Sequence, residues 1–174
     1  MRILTVRNPW AEAIIYAGKD VENRARNVAG DYRGPVAIYC AKRVNTLDEW
    51  DAFRRVHPAA QRRLAQVVRE GLPLSFGKII GVVDLVDVHP VANPHFHPIC
   101  HDLTGPNDLA AAAARGDGAC SPWAHPEGRW HLVLANPRPL AEPIPYRGAL
   151  GLRNLAVNDP ITTARILAQI GETA

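Results

Sequence analysis

The sequence predicts an α+β fold, a small barrel or strongly bent sheet with helices around it, on three observations. Apolar stretches of strand length recur along the chain, at Ile3 to Val6, Pro35 to Ala41, Gly77 to Val88 and Trp130 to Ala135. Between them stand segments with helical spacing or helix caps that do not alternate regularly with the strands, which disfavours a doubly wound parallel sheet. The fingerprints of that other class are missing too: the chain has no Gly-x-Gly-x-x-Gly, no phosphate-loop Lys-Ser/Thr motif and no Gly-x-Ser-x-Gly elbow.

Ile3, Leu4 and Val6 make the first strand. Asn8-Pro9 reads as an N-cap followed by proline at the first helical position. Trp10, Ala13, Ile14 and Ala17 recur at helical spacing, so a helix is predicted from Pro9 to about Ala17. Gly18 is placed to end it in the left-handed conformation, and the chain leaves in extended form. Pro35 to Ala41 is continuously apolar and predicts a buried strand. Thr46-Leu47-Asp48-Glu49 has capping-box spacing and opens a helix toward Val56; a second helix follows Pro58 and ends near Gly71. Gly77 to Val88, apolar on both faces, predicts a central strand. Residues 89–126 are rich in Pro, Gly, His and Asp, with an alanine run at 110–114 that predicts one short helix. Strand character resumes from Trp130 to Ala135, and Pro137-Arg138-Pro139 breaks it. A last short strand is predicted from Gly148 to Leu155, and Asp159-Pro160 caps a C-terminal helix through Ile170. With no internal repeat and no linker, residues 1–174 read as one domain carrying an insertion at about 89–128.

At 174 residues, 47% apolar and 21% charged, the chain can bury roughly 70% of its unfolded surface in one core. No apolar run approaches the ~20 residues of a membrane helix, which excludes a helical membrane protein. Met1 to Pro9 lacks the apolar run and cleavage site of a secretory signal, so a cytoplasmic location is expected. Cys40, Cys100 and Cys120 are an odd number for a disulfide framework, in keeping with a reducing compartment. The net charge of +3 is too small to demonstrate a polyanion partner, but residues 1–70 hold 13 basic against 8 acidic side chains. That half is where RNA or DNA would bind. Arg54, Arg55, Arg62, Arg63 and Arg69 stud the two predicted helices, as a solvated face or as a phosphate-facing flank.

The densest polar cluster is Gly18-Lys19-Asp20-Val21-Glu22-Asn23-Arg24. In extended backbone Glu22 and Arg24 point to one side, with Lys19 where the helix ends. Such a set suits a pocket: a carboxylate accepts from an exocyclic amine, Arg donates a fork to a phosphate or base edge, and Lys adds a point charge or, desolvated, a base. It equally suits an ion-pair lattice tying helix to sheet.

These residues, with Thr5-Val6-Arg7-Asn8-Pro9-Trp10-Ala11 before them and Tyr32-Arg33-Gly34-Pro35-Val36-Ala37-Ile38 after, resemble the opening of an ASCH domain. Gly81-Val82-Val83-Asp84, Trp130-His131-Leu132-Val133-Leu134 and Gly148-Ala149-Leu150-Gly151-Leu152 resemble the family's middle, late and terminal strands, so the likeness spans residues 2–42, 77–89 and 129–155. The resemblance implies a PUA-like β-barrel whose cleft, beside the first helix, binds RNA, DNA or a modified nucleobase. Lys19, Glu22 and Arg24 match its Lys-x-x-Glu-x-Arg core, and Trp10 matches the aromatic of the preceding helix. Some relatives hydrolyse N4-acetylcytidine with a Lys where Lys19 stands and a Thr where Glu22 stands; the Thr hydroxyl is absent here. Ribonuclease activity is also known in the family.

Asp84 shares a predicted strand face with Ile80, Val82, Val86 and Val88, so burial and a partner, Lys19 or Arg24, are expected; it is either a structural ion pair or a pocket acid. Asp87 is expected at the surface. His95, His97, Cys100 and His101, with Cys120 and His125, have zinc-ligand chemistry but match no standard finger spacing; loop histidines and ordinary buried thiols are the other reading, and no metal or cofactor is assigned. Trp123 is either a core residue or a base-stacking platform, while Trp50 and Trp130 read as core. The expected function is therefore binding of nucleic acid, RNA foremost, or of a modified nucleotide through Trp10, Lys19, Glu22, Arg24 and Trp123. The alternatives are a hydrolase acting on an acylated cytidine or on RNA, with Lys19 as base and Glu22 or Asp84 orienting it, and an interaction-only scaffold.

Overall fold

Residues 1–44, 62, 65–66, 69–70, 75–91, 100, 120–125 and 129–171 are described by the computed structural model. Their elements are β1 (Arg2–Asn8), α1 (Trp10–Tyr16), β2 (Val21–Arg24), β3 (Gly34–Val44), β4 (Lys78–Pro90), β5 (Trp130–Pro145), β6 (Leu152–Asn154), α2 (Leu155–Asn158) and α3 (Pro160–Ile170). The strands form a six-stranded mixed sheet in the order β2-β5-β4-β3-β1-β6, so the α+β class predicted from the sequence is the one observed. β1 runs parallel to β3 and antiparallel to β6, and β2 runs antiparallel to β5. A parallel pair cannot be closed by a tight turn, and the connection through α1 and β2 supplies the crossover. Among the described residues, no helix is long and apolar enough to cross a membrane. The chain divides into two compact units: Met1–Lys19, Gly34–Asp84 and Asn136–Ala174 form the first, and Asp20–Arg33 and Leu85–Ala135 form the second.

In the first unit, apolar side chains from β1 (Ile3), β3 (Ala37, Tyr39), β4 (Ile79, Val82), β5 (Leu140, Ile144) and the C-terminal helices (Leu155, Ile166) make one core. β4 approaches its neighbours so closely at Gly81 that a Cβ there would lie 2.6 Å from Ile15 Cδ1 and 2.8 Å from the Arg138 carbonyl oxygen. The helix α1 begins differently from expectation. Asn8 is still paired in β1, opposite Val44, so Pro9 takes the N-cap place and no side chain caps the helix. Its end is as predicted: Gly18 is left-handed at φ +71°, which lets the Lys19 N–H turn back onto the Ala13 carbonyl at 3.0 Å. At the other end of the chain, Asp159 accepts from the Thr162 N–H at 2.9 Å, Pro160 starts α3 and left-handed Gly171 stops it.

In the second unit, β2 pairs with the start of β5 from Val21↔Val133 to Arg24↔Trp130. The turn 120–125 is pinned to β2 by polar side chains. Ser121 Oγ donates to Asp20 Oδ1 and accepts from the Trp123 N–H, while Asn23 donates to the Trp123 carbonyl at 2.9 Å and accepts from the His125 N–H at 2.8 Å.

Two strand predictions are corrected. Pro137-Arg138-Pro139 does not end β5, which runs on to Pro145. The β2 register covers only Trp130 to Val133. Prolines two residues apart withhold N–H groups from one side of a strand alone, and Asn136, at φ +50°, takes up the local bend. The predicted strand from Gly148 to Leu155 shrinks to Leu152–Asn154, because Asn154 accepts from the Val157 N–H and caps the short α2. Arg62, Ala65, Gln66 and Arg69 are helical, in agreement with a helix after Pro58. The helix predicted from Thr46, Trp50 within it, the alanine run 110–114 and His95, His97 and His101 lie outside the described residues.

Candidate functional site

Lys19 is buried at 3% exposure, with Nζ 5.8 Å from the centroid of the half-buried Trp10 ring, inside the range of a cation–π contact. The αL turn at Gly18 sets this up, since it folds the residue after the helix back toward the face that carries Trp10. Beside the start of α1, Asn8 is wholly buried, and neither its Nδ2 nor its Oδ1 hydrogen-bonds to a described residue. Buried amides are satisfied in the great majority of cases, so Asn8 has a donor and an acceptor to spare. The sequence reading took this residue for a cap and missed it.

Glu22 and Arg24 leave β2 on the same side, as strand alternation requires, and form an ion pair at 3.1 Å. Glu22 is nearly buried, whereas the Arg24 side chain stays about a quarter exposed, at 26%. The other polar members of the motif do structural work: Asp20 and Asn23 hold the turn 120–125 through the bonds described above. The motif thus divides between tethers and a presented guanidinium. Lys19 and Trp10 belong to the first unit, Glu22, Arg24 and Trp123 to the second. Trp123 is buried at 8% exposure, its backbone fixed at both N–H and carbonyl.

Asp84 differs from expectation. It is half-buried, and its carboxylate is met by Arg138 at 2.5 Å and by Asn136 Nδ2 at 2.9 Å, so its named partners are two β5 side chains. Both fall within or beside the proline stretch that had been read as a break. Asp87 is partly exposed and bonds His89 Nδ1 at 2.6 Å, with Arg33 at 3.4 Å. Burial works to raise its carboxyl, but the His89 hydrogen bond and the charges of His89 and Arg33 hold it below the usual carboxylate range.

The described residues also bring together His89, Cys100, Cys120 and His131, whose ligand-type atoms all lie within 4.8 Å of one another. His131 Nδ1 is 3.4 Å from Cys100 Sγ and 3.3 Å from Cys120 Sγ, and the Cys120 N–H donates to Cys100 Sγ at 3.2 Å. Hydrogen bonding from Cys120, opposed by burial and aided by His131 and His89, holds the Cys100 thiol far below the ordinary thiol range. The same contact pushes Cys120 up. His89 is raised to about 9, first by the Cys100 sulfur, against burial, and then by Asp87. Cys40 stands apart in β3, buried and pushed up to about 12 by burial and by Glu12. Of the six residues first considered for metal, Cys100 and Cys120 enter this cluster; His125 contributes only its carbonyl, which lies 3.3 Å from His131 Nε2. His89 and His131 are not among the metal candidates read from the sequence. A signal existed: ten residues stand between His89 and Cys100, and ten between Cys120 and His131.

The first unit carries a concavity of about 390 Å³ whose lining includes Ile3, Tyr146, Arg147, Arg153 and Asn158. It takes in none of the motif side chains. Comparison with models of known protein families gave no match, and comparison with curated proteins gave none either.

Proposed function

We propose that this protein is an ASCH-type, PUA-like binding domain that takes RNA, or a modified nucleotide, through Glu22 and Arg24. The observation that carries the reading is Arg24: its guanidinium pairs with nearly buried Glu22 at 3.1 Å while the side chain as a whole stays 26% exposed. A planar fork is suited to a phosphate or to the acceptor edge of a base. The resemblance of Lys19, Glu22 and Arg24 to the Lys-x-x-Glu-x-Arg core, and of Trp10 to the aromatic before it, supports the reading. The six-stranded mixed sheet suits a PUA-like fold.

The test is titration of single-stranded RNA, DNA and a panel of nucleosides at two salt concentrations against the parent chain, Arg24→Ala and Arg62→Ala. Phosphate contacts release counterions, so affinity should fall with salt, and Arg24→Ala should cost about 1–3 kcal/mol while Arg62→Ala, on an exposed helical residue, costs far less. Equal losses would move recognition to the arginine-bearing flank; a loss on Arg153→Ala alone would move it to the concavity. Release of acetate from N4-acetylcytidine that vanishes in both Lys19→Ala and Glu22→Ala would replace the binder with a hydrolase.

A further inference from the structure

We propose that His89, Cys100, Cys120 and His131 form a structural zinc site. Two sulfurs and two imidazole nitrogens are the ligand set of a closed tetrahedral centre, in which two thiolates neutralise the ion and no position is left for substrate. The spacing fits. With Zn–S about 2.3 Å and Zn–N about 2.0–2.1 Å, tetrahedral geometry puts nitrogen and sulfur about 3.6 Å apart. His131 Nδ1 lies 3.4 and 3.3 Å from the two sulfurs, and all four atoms fall within 4.8 Å.

The orientation of the imidazoles is the independent observation. His89 is more than nine-tenths buried, and Asp87 engages its Nδ1 at 2.6 Å; the remaining nitrogen, Nε2, is buried and makes no hydrogen bond to a described residue. His131 is turned the other way, with Nε2 against the His125 carbonyl at 3.3 Å and Nδ1 toward the sulfurs. Each ring thus has one nitrogen tied to an oxygen and the other directed to the cluster, the outer-shell pattern that fixes a metal-binding tautomer. Two thiols alone would suit a disulfide, but a disulfide has no use for two converging imidazoles. The Cys120 N–H donating to Cys100 Sγ at 3.2 Å stabilises a thiolate there, and exposed Cys120 leaves a way in for the ion. The four ligands come from the end of β4, the start of β5, the turn 120–125 and Cys100, which bridges to Val91. One ion would therefore cross-link four stretches of the second unit.

The experiment uses the full chain, made metal-free with chelator under a thiol reductant and titrated with Co(II) and then Zn(II). The expected result is one ion per chain, with the sulfur-to-cobalt charge-transfer band and intense visible bands of tetrahedral Co(II), both lost on zinc addition. Cys100→Ser and His89→Gln should abolish the spectrum, Cys40→Ala should leave it, and Asp87→Asn should weaken zinc affinity about 10–100-fold. Should Cys100→Ser fail to fold, the wild-type spectrum and Asp87→Asn still decide. Folded, reduced wild type without tetrahedral bands, stoichiometric metal retained in Cys100→Ser, or a Cys100–Cys120 disulfide that persists under reductant would each overturn the site.

Discussion

Asp84 lies on a strand face otherwise filled with apolar side chains, and a carboxylate there must be answered. The answer comes from β5, where Arg138 and Asn136 use both of its oxygens. Both partners of the ion pair are about a quarter exposed, so solvent screens it and the stability at stake is modest. Asp84→Asn should lower unfolding free energy by about 1 kcal/mol in urea melts and leave nucleotide affinity unchanged. A matching loss of affinity would return Asp84 to the binding machinery. The cysteines make a similar point about single residues. Their odd number was read against a disulfide framework, and the structure separates them into one core thiol, Cys40, and a pair that meets two histidines.

Among the elements, β4 was the most legible in the sequence, and Gly81 within it is the residue whose reason lies wholly in packing. With Ile15 and the Arg138 backbone against its Cα, a methyl group has nowhere to go, because a carbonyl at 2.8 Å cannot rotate aside as a side chain can. Gly81→Ala is therefore expected to destabilise by about 1–3 kcal/mol in thermal or urea unfolding, against the small gain that Gly to Ala brings to an unhindered strand. Unchanged stability would mean that α1 and β5 can draw back. β1, β3, β4 and α3 were read from apolar runs and caps that act locally, and they formed as read. β5 and α2 were misread because their outcome depends on neighbours. A proline breaks a strand only on a side that must donate, and Asn154 ends one element by capping the next. In the site, Glu22 and Arg24 meet as strand alternation required. The roles of Asp20 and Asn23 as tethers, and of His89 and His131 beside the cysteines, depend on contacts with residues about 100 and up to 42 positions away, which no local pattern records.

At the scale of the whole molecule, both units bury apolar side chains, and the second adds a polar cluster. The first has the apolar core that includes Ile3 and Ile166. The second buries Val21, Leu85, Trp123, Leu132 and Leu134 and is held besides by β2–β5 pairing, by side-chain bonds from Asp20 and Asn23, and by the His/Cys cluster, all four of whose members it contains. An ion that binds the folded state alone stabilises it in proportion to the logarithm of its concentration over Kd, and the gain falls on the structure that opens when the ligands part. Stripping zinc from the reduced chain should therefore speed amide exchange at Val21–Arg24, 120–125 and Trp130–Val133, while amides around Ile38, Val82 and Ile166 keep their protection. Hydrogen exchange with and without chelator measures this directly. Loss of protection spread evenly through both sets would mean that they open as one cooperative body, and no change in either, in a protein already known from cobalt titration to hold the ion, would mean that the backbone bonds of the second unit stand without it.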